Sequence, residues 1–235
     1  MKTLLTAFLF LLLLAFLLFI SLTIPPQPQY KTYPSAQKIP LPPPNYTGIP
    51  LENAIAERRS IREFGSGEIT LAELSQLLFS AQGITNKEKG FRAAPSAGAL
   101  YPIELYIVAS RVENLRNGIY HYNVKEHSLE LLKEGDFREE LYNASHQQPV
   151  KDAAVVFIFT AVFERTKAKY GERGGRYIYI EAGHISQNIL LEATSLNLAS
   201  LPIGAFSDEE LNSILEIDGK TESAIYLNLV GRKKG

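Results

Sequence analysis

The chain has 235 residues, with 24 Lys plus Arg against 25 Asp plus Glu and a formal net charge of -1, so no basic field is present to collect nucleic acid. Cysteine is absent, which excludes disulfides, thiolate-held iron–sulfur clusters or zinc, and every thiol-nucleophile enzyme. The 46% of hydrophobic residues is the content of a packed core, and redox chemistry in such a chain has to come from a bound cofactor.

Leu4 to Ile24 carries no charge, and its polar members are Thr6, Ser21 and Thr23. As a helix this run spans roughly 31 Å, enough for the hydrocarbon core of a bilayer. Residues 1–24 are expected to form a transmembrane anchor, with a cleaved signal peptide as the competing reading. The acceptor patterns Asn45-Tyr46-Thr47 and Asn143-Ala144-Ser145 suit a folded domain on the extracytoplasmic side. Residues 25–50 hold nine of the 13 prolines and are expected to be an extended linker, with Leu41 to Pro44 on the surface of the domain that fills 51–235.

Within that domain, Pro50 and the spacing of Leu51, Ala54 and Ile55 predict a helix ending near Arg58 and Arg59. Thr70-x-x-Glu73 is a capping box for a second helix, striped by Leu71, Leu74, Leu77, Leu78 and Ala81 and stopped by Gly83. A strand follows over 104–110, then paired strands over 118–124 and 129–132, and a short helix from Asp136. The continuous apolar run 153–162 predicts a strand buried on both faces. The longest helix covers about 175–196 and aligns Ile180, His184, Gln187 and Leu191. Ser207-x-x-Glu210 opens another helix, and 224–230 is the last strand. Helices and strands interleave without a regular βαβ repeat, so the class is α+β with a sheet between helices.

The four histidines have no metal-ligand spacing, and no hydrolase elbow, phosphate loop or dinucleotide fingerprint is present. Three segments carry other chemistry. Arg58-Arg59-Ser60-Ile61-Arg62 packs three guanidinium groups and a hydroxyl into five residues, a set that matches phosphate oxygens or complements the C-terminal end of the first helix. Ala94-Pro95-Ser96-Ala97-Gly98-Ala99-Leu100-Tyr101-Pro102 is a small-residue loop where a planar ligand can meet backbone. Pro202-Ile203-Gly204-Ala205-Phe206 presents N–H groups before a capped helix.

The order of these blocks, with Arg176-Tyr177, Glu181-Ala182-Gly183-His184, Gln187-Asn188 and Val230-Gly231-Arg232, resembles the nitroreductase-like flavoprotein family and, within it, the SagB-type azoline dehydrogenase branch. The resemblance spans about Leu41 to Arg232. It implies a three-layer α/β/α sandwich, a homodimer and an FMN-dependent oxidoreductase that passes hydride through flavin N5, acting on a small-molecule or peptide-borne substrate, with NADH or NADPH as possible donor. By position, Arg58, Arg59, Ser60 and Arg62 match the phosphate contacts, with Arg232 closing on the same group. Pro95, Ser96, Ala97 and Gly98 match the loop along the isoalloxazine edge, and Gly204 and Ala205 the donors near N5. Ala99 stands where many simple nitroreductases carry Asn, which favours the SagB-type branch. Tyr101 and Tyr177 are the candidate catalytic groups, since a phenol can exchange a proton beside the flavin. His184 and Glu181 read either as core residues or as groups near the site. A non-catalytic flavin-binding or adaptor protein of a membrane assembly is the alternative.

Overall fold

The computed structural model describes residues 29–235. Its elements in chain order are β1 (Gln37–Pro40), α1 (Leu51–Glu57), α2 (Leu71–Gln82), β2 (Ile84–Asn86), β3 (Phe91–Arg92), β4 (Ile103–Ala109), β5 (Gly118–Asn123), β6 (Ser128–Glu134), α3 (Arg138–Ser145), α4 (Pro149–Asp152), β7 (Val155–Val162), α5 (Glu164–Tyr170), α6 (Gly174–Ser195), β8 (Leu198–Ile203), α7 (Asp208–Leu215) and β9 (Glu222–Arg232). Seven strands form one antiparallel sheet in the order β1-β6-β5-β4-β7-β9-β8, and β2 pairs with β3 in a separate hairpin.

The central strands β4 and β7 are covered on both sides, which is why their sequences are apolar without alternation. Ile103, Leu105, Ile107, Phe157 and Phe159 point into one core with Leu74, Leu77 and Leu78 of α2 and Ile178, Ile185 and Ile189 of α6. Tyr106, Val108, Val156 and Ile158 point the opposite way, against Leu141 of α3, Val150 of α4 and Leu211 of α7. The period of two along each strand thus sorts side chains into two cores, and the helices form the outer layers.

At the start of α2 the capping box is complete: Thr70 Oγ1 accepts from Glu73 N, and Glu73 Oε2 accepts from Thr70 N. The 22-residue α6 buries the stripe Ile178, Ala182, Ile185, Ile189 and Ala193. The line of Ile180, His184, Gln187 and Leu191 lies off that stripe: the first three are exposed and Leu191 is half-buried. The core-histidine reading of His184 is therefore corrected, because the neighbouring stripe of Ile and Ala buries more apolar surface against the sheet.

The proline-rich segment is packed onto the domain from residue 29 onward. β1 adds to the edge of the sheet beside β6, where Pro40 is tolerated. Lys31 reaches into the interior to pair with Glu222 and Tyr106, and Tyr33 donates through its backbone N–H to Glu130 Oε2 at 3.0 Å. The Pro42 carbonyl accepts from Ser75 at 2.5 Å and lies 3.1 Å from His127 Nε2. The run Leu4–Ile24 lies outside the described residues, and among those residues no helix is long and apolar enough to cross a membrane.

Candidate active site

The loop between β3 and β4 gathers three left-handed residues within four positions. Gly98 has φ +64°, and Ala99 and Tyr101 also lie in the left-handed region, at φ +54° and +48°. A side chain in that region costs about 1 kcal/mol or more, so surrounding bonds must hold it there. Ser96 Oγ accepts from Tyr101 N at 2.9 Å, and Arg165 Nη1 donates to the Tyr101 carbonyl at 3.0 Å. Arg92 completes the clamp: its N–H donates to the Tyr101 hydroxyl at 3.1 Å, and its guanidinium lies 4.4 Å from that ring's centre. Tyr101 is consequently buried with its hydroxyl engaged, and it acts as the loop's anchor. Pro95 is exposed, and Ser96 and Ala97 are half-buried.

Two residues without a role in the sequence analysis meet this loop. A Cβ at Gly98 would stand 2.9 Å from the Tyr170 hydroxyl and 3.0 Å from Lys169 Nζ. Glycine at 98 therefore leaves room for an amine and a phenol side by side. Tyr177 packs edge-on to Tyr170 with ring centres 5.0 Å apart, and its hydroxyl accepts from Arg173 Nε at 2.9 Å. The charged segment Glu164–Tyr170 has no apolar stripe to announce α5; the seven-residue spacing of Tyr170 and Tyr177 is the one signal it offers.

Behind the loop lies a buried charge network. His121 sits between Glu130 (Nδ1, 3.0 Å) and Glu104 (Nε2, 2.9 Å), and Glu104 Oε1 also accepts from Arg165 Nη1 at 2.5 Å. Burial opposes the charge on His121, but the hydrogen bonds to Glu104 and Glu130 outweigh it and raise its pKa. Burial likewise opposes the charges on Glu104 and Glu130, yet His121 bonds to both, joined by Arg165 at Glu104 and Asn123 at Glu130, hold both carboxyls below their ordinary range. Glu181, on the buried side of α6, behaves differently. Burial pushes its carboxyl up to about 7, with the Ser96 hydroxyl, Arg92 and Arg165 pulling only partly the other way.

The arginine block runs along the outer edge of β8, where Ile61 N donates to Ser200 O at 2.9 Å. Arg59 is exposed and folds back onto the carbonyls of Ala56 and Arg58. Among the described residues Arg58 and Arg62 form no ion pair. Ser60 between them is half-buried. Two uncompensated guanidinium groups flanking a hydroxyl fit an anionic group such as a phosphate. Arg232 is placed otherwise: its fork grips Glu73 at 2.7 and 2.8 Å, and Nε donates to the Glu68 carbonyl at 2.8 Å. That guanidinium ties β9 to α2. Gly204 and Ala205 are exposed at the end of β8, immediately before Ser207 caps α7. A cleft of about 370 Å³ between α1, α2 and α6 brings Ala93, Ala54 and Asn188 together.

The described residues form an α+β sandwich, a seven-stranded antiparallel sheet with a core on each face, and the left-handed β3–β4 loop and the arginines at the edge of β8 are set on it. The comparison with known proteins agrees: residues 55–232 match the model of the nitroreductase family, and the chain belongs to that family. A Methanocaldococcus jannaschii protein named as a nitroreductase, MJ1384, is 42% identical over 191 residues, 81% of this chain and 94% of that protein. The trifolitoxin-processing protein TfxB of Rhizobium leguminosarum is 33% identical over 60% of this chain, which spans 39% of TfxB. A crystal structure of an Anabaena variabilis protein named as a nitroreductase superposes with a TM-score of 0.77 at 33% identity, covering 87% of this chain and 44% of that one.

Proposed function

We propose that this chain is an FMN-dependent oxidoreductase of the SagB-type branch, working as a homodimer and tethered to a membrane by residues 4–24. The observation that carries the reading is the Ser96–Tyr101 loop, whose three left-handed residues are held in place while Gly98 faces Lys169 and Tyr170. FMN, when bound, supplies hydride transfer at its N5. Arg58, Arg62 and Ser60 hold its phosphate, with Arg59 at their side. Pro95, Ser96, Ala97 and Gly98 line the ring edge, and the exposed backbone of Gly204 and Ala205 offers donors. Lys169 Nζ and the Tyr170 hydroxyl exchange a proton with substrate, and Tyr177 fixes the Tyr170 ring by edge contact. Packed against each other, α1 and α6 leave Leu51, Ile55, Tyr179 and Ile180 exposed, an apolar face suited to a second copy.

A peptide-borne azoline ring is the substrate that the resemblance to the SagB-type branch implies, and the similarity to a trifolitoxin-processing protein is in keeping with it. The test is anaerobic reduction of the FMN-loaded chain with NADH, NADPH and an azoline-bearing peptide in parallel. Bleaching by the peptide supports the dehydrogenase; bleaching by a nucleotide alone supports a nitro or quinone reductase; no bleaching by any of them supports the non-catalytic alternative.

A further inference from the structure

We propose that residues 29–33 position the Ser96–Tyr101 loop, holding the Tyr101 ring and hydroxyl through Arg92 and the Tyr101 carbonyl through Glu130, His121, Glu104 and Arg165. These residues belong to no helix or strand, so no backbone ladder accounts for where they lie. Individual polar groups hold them instead, and two lines of contact lead from them to the same tyrosine.

The first line runs through Arg92 of β3, which is buried. Its guanidinium faces two rings, 5.3 Å from the centre of Tyr30 and 4.4 Å from that of Tyr101. Nη1 donates to Gln82 Oε1 of α2 at 2.6 Å, and Nη2 lies 3.4 Å from the Gln29 carbonyl. Because Arg92 N–H donates to the Tyr101 hydroxyl, a shift of Arg92 carries the phenol with it.

The second line starts at the Tyr33 N–H, which donates to Glu130 Oε2 of β6 at 3.0 Å. That oxygen faces His121 Nδ1 of β5 at 3.0 Å, and His121 Nε2 faces Glu104 Oε2 of β4 at 2.9 Å. Arg165 Nη1 of α5 then bonds both Glu104 Oε1 and the Tyr101 carbonyl. Glu130 Oε1 accepts from Asn123 Nδ2 and Glu104 Oε1 from Arg165, so both carboxyls act as acceptors and protons on both His121 nitrogens complete the line. The rings of Tyr33 and Tyr106 meet His121 edge-on, with centres 5.1 and 5.3 Å away, and their hydroxyls are 2.8 Å apart. Tyr33 therefore supplies a donor to the line and a wall to its centre. Burying so many charges is a poor route to stability, since matched apolar side chains do as well. What the charges add is position, because each group on the line has a fixed partner to face.

What the loop binds rests on the flavin reading above; the two lines do not. The experiment uses the full-length chain. Tyr30→Leu removes the ring facing Arg92 and Tyr30→Phe keeps it, Glu130→Gln breaks the second line at its start, and Gly219→Ala lowers stability without touching either line. The Tyr101 amide resonance of the FMN-free chain should shift in Tyr30→Leu and in Glu130→Gln, and stay in place in the other two. FMN binding should weaken about fivefold in each of the first pair, the scale of one cation–π contact or one hydrogen bond, and hold in the second pair. An unmoved Tyr101 amide in Tyr30→Leu or in folded Glu130→Gln overturns the proposal, as does an equal loss of FMN affinity in Tyr30→Phe or Gly219→Ala. Tyr30 is half-buried and belongs to neither core, so Tyr30→Leu decides alone if Glu130→Gln does not fold. Failure of every protein to bind FMN refutes the flavin reading, and the Tyr101 amide shifts then decide this one.

Discussion

Replacing Gly98 with alanine separates backbone strain from damage to the site, because Gly219 provides a matched control far along the chain. Both glycines have positive φ, +64° and +69°, and at each a Cβ would lie 2.9 Å from a side-chain polar atom: Tyr170 Oη at 98, Asn212 Nδ2 at 219. The left-handed conformation costs alanine about 1 kcal/mol, and a displaced hydrogen-bonding group costs about another. Each variant should lose about 2 kcal/mol, or about 4–8 °C in a thermal melt of a domain this size. Only Gly98→Ala pushes Lys169 and Tyr170 off the loop, so it alone should weaken FMN binding, by about tenfold in a flavin-fluorescence titration. Equal FMN affinity in the two variants would refute the placement of the ring edge at Ser96–Gly98.

The arginines divide by function: Arg58→Ala and Arg62→Ala should each weaken FMN binding about 10- to 100-fold, the range for a charge-assisted bond, with melts unchanged. Arg232→Ala should lower the melting temperature and leave FMN affinity in place, because its fork is spent on Glu73. Lys31→Met should destabilise the domain by about 3 kcal/mol in urea unfolding by leaving Glu222 buried and unpaired, and adding Glu222→Gln should recover most of that loss. Stability should form a plateau in pH. His121, raised in the fold, contributes fully below its unfolded value of about 6.5, and this is lost as pH rises through its folded pKa. Glu104 and Glu130, lowered in the fold, contribute above about 4.3, and this is lost as pH falls through theirs. His121→Gln, followed by urea unfolding across pH, should flatten the alkaline edge.

Periodicity exposed the elements that bury continuous surface. The apolar runs of β4 and β7 and the capped stripe of α2 are written in neighbouring residues, and the structure places them within a few positions of the reading. β8 and β1 were hidden by Pro202 and Pro40, which stand in the two outermost strands where a missing N–H is tolerated. α6 was found but its face was not, since Ile180 and Ile185 lie on opposite sides and only packing against the sheet chooses between them. The site divides in the same way. Its loop and arginines are local motifs, while Lys169 at Gly98, Arg165 on Glu104 and Lys31 on Glu222 join positions 61 to 191 residues apart or meet only in the fold. The ion pair of Arg232 with Glu73 of α2 is likewise invisible in the sequence, since it joins residues 159 positions apart.

FMN binding through Arg58 and Arg62 is tested by FMN uptake of the purified full-length chain, measured by equilibrium dialysis beside the Arg58→Ala, Arg62→Ala double variant. Close to one FMN retained per chain is expected in the wild type and almost none in the double variant. A wild-type chain that retains no FMN, or a double variant that retains as much as the wild type, would contradict it.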